Sequence, residues 1–301
     1  MNLSVGIVGL PNVGKSTLFN ALLQRQIAEV AEYPFTTIKP NVGVVQVPDP
    51  RLQAVSKATA IEKVVPAAVE FIDIAGLVKG AHTGEGLGNQ FLGHIREVDA
   101  ILHLVRGFHN PKVPGNLNPS EDIQIVNEEL KYAEIAKPTI YILNIDEAKI
   151  NASEAEVMVS EIRKLTNQPA IYISAKLESE LQELSAEEQT AYLKELGIHQ
   201  PSLEKIIKES FCLLDLITFF TVAHATQVQA WPLRNGETAL SASGLVHTDM
   251  QKGFIKALAI DWKKLVAAGS WKVALEKGWI RLEGRDYEVS DGDAIEFKFN
   301  V

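Results

Sequence analysis

The sequence predicts an α/β fold, a doubly wound and mostly parallel sheet, followed by a smaller α+β domain. Apolar runs recur through the first two thirds of the chain, and several are nearly continuous, as in strands covered on both faces. Helical patterns separate most of these runs, and strand–helix alternation builds a parallel sheet. After residue 216 the pattern changes to short strand-like pieces around one helix. These observations predict two domains, residues 1–216 and 217–301.

The predicted elements follow in chain order. Strands of the first domain are expected at residues 3–8, 42–47, 68–73, 100–105, 139–144 and 170–174. Its helices are expected at residues 15–26, 88–98, 120–136, 153–165, 186–196 and 201–214. In the second domain, strands at residues 217–222, 228–232, 254–260, 279–282 and 293–299 surround one helix at residues 262–277.

The composition and net charge argue against several classes of protein. The 301 residues carry a net charge of −9, from 29 Lys and Arg against 38 Asp and Glu. Such a chain is not expected to coat DNA or to read its sequence, although a local basic face can still contact nucleic acid. Cys212 is the only cysteine, which excludes an intrachain disulfide and favours a reducing compartment. No apolar run approaches the roughly 20 residues of a membrane span, so we expect a soluble cytoplasmic monomer.

The strongest motif is a phosphate loop between the first strand and the first helix. Residues 9–16 read G-x-x-x-x-G-K-S, whose glycines let successive backbone N–H groups point at phosphate oxygens. Lys15 is expected to reach the β and γ oxygens, and the Ser16 hydroxyl to ligate Mg²⁺. The loop residues predicted to bind a nucleotide are Asn12, Val13, Gly14, Lys15, Ser16 and Thr17.

A second motif, D-x-x-G, ends the predicted strand at residues 68–73. Its Asp73 is positioned to hold Mg²⁺ through a water molecule, while the Gly76 N–H can sense a γ-phosphate. Between the two motifs lies a loop with a Thr pair, and Thr37 is the predicted metal ligand. We therefore predict that Lys15, Thr37 and Gly76 take part in catalysis. This order of motifs is typical of a P-loop GTPase-like domain and is not shared by small-molecule kinases.

The motif that would read the base departs from the usual N-K-x-D. Residues 144–147 place Asn144 at the Asn, Ile145 at the Lys and Glu147 at the Asp that accepts two hydrogen bonds from guanine. The extra methylene of Glu147 moves its carboxylate by roughly 1.5 Å, and Ile145 is expected to offer the base an apolar contact. Ser174 and Ala175 complete the predicted base site. These changes predict that ATP binds at least as tightly as GTP.

These motifs and their neighbours resemble those of the YchF/Obg-like ATPase family over nearly the whole chain. The matching segments are residues 9–20, 33–41, 73–81, 84–89 and 247–255. The resemblance implies an ATP-preferring member of the Obg branch that associates with ribosomes. It also implies that the second domain is a TGS domain, which has a ubiquitin-like β-grasp fold.

The chain departs from that family at two places. Family members carry a long helical arm between the helix after the fourth strand and the next strand, whereas here residues 127–136 run directly into Lys137 and Pro138. The family also has a candidate catalytic histidine in the loop after Arg106, which is shorter here. His109 is the nearby candidate, and the alternative is an ordinary solvent-facing histidine.

Hydrolysis needs a group to orient water, and the sequence leaves that group open. Leu77 stands directly after D-x-x-G, where Ras-like proteins carry a Gln, so a cation or a partner must substitute. In related cation-activated domains a phosphate-loop Asn holds K⁺, which makes Asn12 a candidate potassium ligand. The alternative is that Asn12 only suits the geometry of the loop.

The predicted second domain is locally basic. Residues 249–285 contain eight basic residues against four acidic ones, a pattern that fits either a solvated helix face or a surface resting on ribosomal RNA. The basic residues are Lys252, Lys256, Lys263, Lys264, Lys272, Lys277, Arg281 and Arg285. Three functions remain open at this point: a ribosome-associated ATPase, the same switch working with GTP, and an RNA-binding adaptor with little turnover.

Overall fold

The computed structural model describes residues 3–29, 41–74, 76, 80, 87–110, 117–150, 153–198, 201–223 and 226–300. The chain divides into two compact units, and each is described by itself. One contains residues 2–45 and 69–214, and the other contains residues 46–68 and 215–301. None of the described helices is long and apolar enough to cross a membrane.

The first unit is built on a six-stranded sheet of order β2-β4-β1-β5-β6-β7. Its strands are β1 Ser4–Val8, β2 Val42–Gln46, β4 Ala68–Asp73, β5 Ala100–Arg106, β6 Thr139–Asn144 and β7 Ala170–Ile173. The pairs β1–β4, β1–β5, β5–β6 and β6–β7 are parallel. Every residue of β1 and β5 is buried, which confirms the expectation of strands covered on both faces.

Seven helices belong to the described part of this unit. They are α1 Lys15–Glu29, α3 Leu87–Glu97, α4 Pro119–Tyr132, α5 Ser153–Thr166, α6 Ala175–Leu181, α7 Ala186–Glu195 and α8 Ser202–Leu213. Local signals explain several starts: Asn118 caps α4 with Pro119 at its first position, and Ser185 with Glu188 forms a capping box at α7. The chain passes from α4 to β6 within residues 133–138, so it has no helical arm at that connection.

The second unit is a mixed six-stranded sheet of order β11-β10-β12-β8-β9-β3. Its strands are β3 Val64–Val65, β8 Leu216–Ala223, β9 Gln227–Arg234, β10 Phe254–Asp261, β11 Arg281–Glu283 and β12 Asp293–Phe299. Its helices are α2 Pro50–Thr59, α9 Ala239–Val246, α10 Thr248–Lys252, α11 Trp262–Ala268 and α12 Trp271–Glu276. One face of the sheet packs against α9. The core between them contains Ala242 of α9 and, from the strands, Phe219, Ala257, Ile295 and Phe297. This mixed α+β sheet is consistent with the expected TGS domain.

Residues 46–68 differ from their predicted place in the first domain. They form α2 and β3, and β3 extends the second sheet as a parallel neighbour of β9, with Val64 opposite Val228. Arg51 on α2 donates to Asp291 at 2.6 Å and lies 5.7 Å from the centre of the Phe220 ring. The sequence pattern cannot reveal such pairing, because β3 has two residues and its partner strand is more than 150 positions away.

The helix expected at residues 262–277 is two helices. Gly269 ends α11 in the left-handed conformation with φ of 76°, and Ser270 then caps the start of α12 by accepting a hydrogen bond from the Val273 N–H. A glycine in this conformation followed by a capping serine is a stop and start signal. The apolar spacing on both sides of Gly269 had predicted a single helix.

Candidate nucleotide-binding site

The phosphate loop joins β1 to α1 as predicted, and close packing explains its glycines. Gly9 has φ of 156°, and a Cβ there would lie 2.4 Å from the Leu104 carbonyl oxygen on β5. Gly14 has φ of 101°, and a Cβ there would lie 2.4 Å from Nδ2 of Asn144. Any side chain at either position would therefore collide with a neighbour in addition to straining the backbone. Asn12 also has a positive φ, 63°, a conformation that Asn tolerates better than most residues.

Lys15 lies in the loop with its ammonium group against main-chain carbonyls. Its Nζ donates to the Gly9 oxygen at 3.1 Å and to the Leu10 oxygen at 2.8 Å, and the residue is 8% exposed. Burial lowers the pKa of Lys15 from 10.5 to about 8, and the negative charge of Asp73 partly opposes this shift. The amine is therefore held over the loop as a desolvated cation, which a phosphate group would stabilise.

Two predicted magnesium ligands lie in contact with each other beside the phosphate loop. The Ser16 hydroxyl donates to Oδ2 of Asp73 at 3.1 Å, although the two residues are 57 positions apart. A hydroxyl and a carboxylate are suitable ligands for Mg²⁺, directly or through water. Among the described residues, no group of three or more His, Cys, Asp or Glu could hold a metal by itself. The Ser16 and Asp73 pair fits an ion that takes its remaining ligands from nucleotide phosphates and water.

Gly76 lies close to the phosphate loop. A Cβ at Gly76 would be 3.1 Å from Nζ of Lys15 and 3.2 Å from Cα of Pro11. The Gly76 N–H is therefore part of a residue that lies beside the Lys15 ammonium group. That ammonium group is expected to hold the terminal phosphate. Thr37, which was predicted to be a metal ligand in the same region, and Leu77, which stands where Ras-like proteins carry a Gln, lie outside the described residues.

Asn144 connects the phosphate loop to the predicted base site. Its Nδ2 donates to the Val13 carbonyl oxygen at 2.9 Å, and its Oδ1 accepts from the Ala175 N–H at 2.9 Å. The side chain is 5% exposed, so both bonds are shielded from water. Ser174 caps α6 by accepting from the Leu177 N–H, which fixes the helix that Ala175 begins. Asn144 is thus a buried connector between two loops that were predicted to bind the same ligand.

The rest of the base motif differs from the expected arrangement. Ile145 is 3% exposed and packs in the apolar core with Leu143, so the structure does not present it as a contact for a base. Glu147 is partly exposed in a short 3-10 turn, and its Oε1 accepts a hydrogen bond of 2.8 Å from the Tyr192 hydroxyl on α7. No local pattern in the sequence links Tyr192 to Glu147, which lies 45 positions earlier.

The loop after β5 contacts the phosphate loop. Nδ2 of Asn110 donates to the Asn12 carbonyl oxygen at 3.2 Å, and the adjacent His109 is exposed. His109 therefore lies on a loop that touches the site, but its catalytic role stays a prediction. The buried histidine of this region is His103 on β5, which is 1% exposed; burial, and secondarily the charge of Lys15, lower its pKa to about 3. His103 is a neutral core residue at physiological pH.

The site is that of a P-loop NTPase with the GTPase-type arrangement of motifs. Three features define it: the strand–loop–helix, the Ser16–Asp73 pair and the Asn144 connector. A family model described as 50S ribosome-binding GTPase matches residues 4–145. A second model, YchF-GTPase_C, described as a protein of unknown function, matches residues 216–300.

The comparisons with whole proteins identify the family. The chain is 40% identical to the ribosome-binding ATPase YchF of Bacillus subtilis and 38% identical to that of Escherichia coli O157:H7, in each case over all of both chains. It belongs to the YchF family. The Bacillus alignment extends over 368 residues, so that relative has segments without a counterpart in these 301 residues.

Solved structures agree with this assignment. The YchF GTPase of Schizosaccharomyces pombe is 28% identical, and its structure matches 99% of this chain and 98% of its own with a TM-score of 0.83. A GTP-binding protein from Pyrococcus horikoshii is 19% identical with a TM-score of 0.66 over 99% of this chain and the whole of its own, which shows a shared fold.

Proposed function

We propose that this protein is a ribosome-associated nucleotide-switch ATPase that hydrolyses ATP slowly to ADP and phosphate in the cytoplasm. The curated relatives with 37–40% identity over the full length carry the name ribosome-binding ATPase YchF, which supports both parts of the proposal. The described site supplies the means to bind nucleotide phosphates. The observation that carries the choice of ATP is the altered base motif, in which Ile145 and Glu147 replace the Lys and the Asp of N-K-x-D.

The phosphate chain of ATP would lie along residues 9–17, where the N–H groups of the loop and of the start of α1 converge. Lys15 would exchange its two carbonyl contacts for β- and γ-phosphate oxygens. Ser16 and Asp73 would hold Mg²⁺, which supplies neutralisation of the charge that develops on the phosphates. Gly76, next to Lys15, and Thr37 are the groups that would respond to the γ-phosphate.

The base site lacks two features of strict guanine recognition. A guanine needs a carboxylate that accepts from both N1–H and the 2-amino group, and Glu147 replaces the shorter Asp that normally does so. The lysine stem that lies along a guanine in N-K-x-D proteins is replaced by Ile145, which is packed in the core. Sites built to hydrogen-bond a group can reject an analogue that lacks it by about 10⁴–10⁵. Losing such contacts removes the basis for excluding adenine.

Hydrolysis in this proposal depends on a group beyond the phosphate loop. Leu77 cannot orient water, so Asn12 with a bound K⁺, His109 or a ribosomal component would provide the missing function. The left-handed φ of Asn12 explains an Asn there on geometric grounds alone. The potassium role therefore needs a test that keeps this geometry.

Basic side chains on the second sheet are the candidate contacts for ribosomal RNA. Lys256 on β10 is directly opposite Lys298 on β12, and the Lys298 ammonium is already paired with Glu296 on its own strand. A phosphate backbone near these lysines would add an attraction that falls as the salt concentration rises. Among the basic residues expected to contact RNA, Arg281 forms an ion pair with Asp293 at 3.1 Å. The exposed ones are Lys252, Lys263, Lys264, Lys272, Lys277 and Arg285.

The deciding experiment measures dissociation constants for ATP and GTP together with phosphate release in the presence and absence of ribosomes. The proposal predicts binding of ATP at least as tight as of GTP, and turnover that ribosomes stimulate. A preference for GTP would favour the second function, which the GTPase names of the matched family model and of the S. pombe structure also suggest. Ribosome binding with no turnover under any condition would identify an adaptor.

A further inference from the structure

Glu129 is a buried carboxylate on the helix that follows β5. It lies in the last turn of α4, is 3% exposed, and shares the buried side of the helix with Val126 and Leu130 of the apolar core. Burying a carboxylate costs free energy unless it is hydrogen-bonded, and a negative charge near the carboxyl end of a helix opposes the helix dipole. The stability of α4 therefore does not explain a Glu at this position.

The carboxylate of Glu129 holds the main chain that follows the D-x-x-G motif. Its Oε1 accepts a hydrogen bond of 2.6 Å from the Gly80 N–H, although the two residues are 49 positions apart. A bond between an N–H and a carboxylate that is shielded from water is stronger than one between neutral groups. Gly80 has φ of 85°, a left-handed conformation that favours glycine, so the backbone turns at this contact.

The same stretch of main chain is also fixed before Gly76. The Ile74 N–H donates to the Ile7 carbonyl oxygen of β1 at 3.3 Å, and the Ile74 side chain packs in the core with residues of α4. Gly76 lies between this fixed point and Gly80, and a Cβ on it would be 3.1 Å from Nζ of Lys15. Fixing both ends of a short stretch of chain restricts the conformations open to the residues between them.

We propose that Glu129 is a positioning residue for ATP hydrolysis, which fixes the Gly80 N–H and thereby keeps the Gly76 backbone in place beside Lys15. Glu129 acts through the main chain and contacts neither the nucleotide nor Mg²⁺. This inference deepens the proposed function and rests on it. The γ-phosphate is the group that Gly76 is expected to meet, whereas the phosphate loop provides the binding of ATP. Glu129 should therefore affect the hydrolysis step more than the affinity for ATP.

The test measures ATP dissociation constants and single-turnover phosphate release for the full-length wild-type protein, Glu129→Leu and Glu129→Gln. Glu129→Leu removes the acceptor, so the hydrolysis rate should fall about tenfold or more while the dissociation constant changes less than about threefold. Glu129→Gln keeps a side-chain oxygen that can accept from Gly80, so its rate should stay within about threefold of the wild-type rate. The matched control is Glu128→Leu, which removes the same charge at the adjacent, exposed position and should change neither quantity.

Hydrogen exchange of the Gly80 amide provides a second measurement that does not depend on activity. NMR of glycine-labelled protein with Mg²⁺ and a non-hydrolysable ATP analogue should show slow exchange at Gly80 in the wild type and fast exchange in Glu129→Leu. Fast exchange in the wild type overturns the inference whether or not Glu129→Leu folds.

Three results of the kinetic comparison would also overturn the inference. These are an unchanged hydrolysis rate in Glu129→Leu, equal losses of rate in Glu129→Leu and Glu129→Gln, and a loss of ATP affinity as large as the loss of rate. A wild-type protein that releases no phosphate with or without ribosomes would instead overturn the proposed function. The exchange experiment would still test the hydrogen bond in that case, so the two failures are distinct.

Discussion

Raising the pH from 7 to 9 should weaken ATP binding about tenfold, because Lys15 loses its proton in that range. Its pKa in the described structure is about 8, against an ordinary value of 10.5. Bound phosphates would restore the charged form and return the pKa to at least its ordinary value. The difference of about 2.5 units corresponds to roughly 3 kcal/mol of coupling between the proton and the phosphates.

The assay is calorimetry of ATP binding in two buffers with different ionisation enthalpies. At pH 8.5 the free protein should have Lys15 mostly neutral, so binding should take up about three quarters of a proton. Lys15→Ala should bind or hydrolyse ATP at least tenfold less well and should show no such uptake. Affinity that is flat from pH 7 to 9, with no proton uptake in the wild-type protein, would refute the burial argument for Lys15.

The same shift affects stability in the opposite direction. The folded protein without nucleotide binds the Lys15 proton less tightly than the unfolded chain does, so between pH 8 and 10.5 the unfolded chain holds more protons. The contribution of Lys15 to the free energy of unfolding should therefore rise with pH across this window. At neutral pH the desolvation of the charged Lys15 lowers the free energy of unfolding of the protein without nucleotide. This loss of stability accompanies a buried cation that is in place to bind phosphate.

Three further outcomes are expected at other positions. Replacing K⁺ by Na⁺ at constant ionic strength should slow ATP turnover several-fold in the wild-type protein but not in Asn12→Gly, which keeps the left-handed loop geometry; equal wild-type rates in both salts would remove the potassium role. Asn144→Ala should lower the free energy of unfolding in urea by about 2–5 kcal/mol, because two buried backbone groups lose their partners; a loss under 1 kcal/mol would contradict the connector role. Lys256→Glu with Lys298→Glu should weaken co-sedimentation with ribosomes, whereas the exposed pair Lys164→Glu with Lys208→Glu should not; equal binding by both double variants would exclude this face.

Much of the nucleotide-binding unit could be predicted because its signals are local. The phosphate loop is eight consecutive residues between a strand and a helix, and each residue has a separate physical reason to be there. The buried strands were predicted from nearly continuous apolar runs, and β5 is buried at every position. Helices with amphipathic spacing, such as α4 and α5, were predicted within a few residues of their observed bounds, and α4 also begins at a clear cap, Asn118.

What was missed depends on contacts between distant positions. Helix α9 was not predicted, because it packs through small residues such as Ala239 and Ala242 and lacks a strong apolar stripe. Residues 46–68 join the second sheet through β3, a pairing that no local pattern signals. At the base site, the sequence showed which residues replaced N-K-x-D but not that Ile145 turns into the core or that Tyr192 reaches Glu147.

The proposed ATPase is tested most directly by dissociation constants for ATP and GTP measured side by side on the wild-type protein with Mg²⁺ at neutral pH. With Glu147 in place of Asp and Ile145 in the core, ATP should bind at least as tightly as GTP. Glu147→Asp alone should move the preference toward GTP, and it avoids placing a lysine in the core at position 145. A wild-type protein that binds GTP more than tenfold better than ATP would contradict both the interpretation of the base site and the assignment as an ATPase.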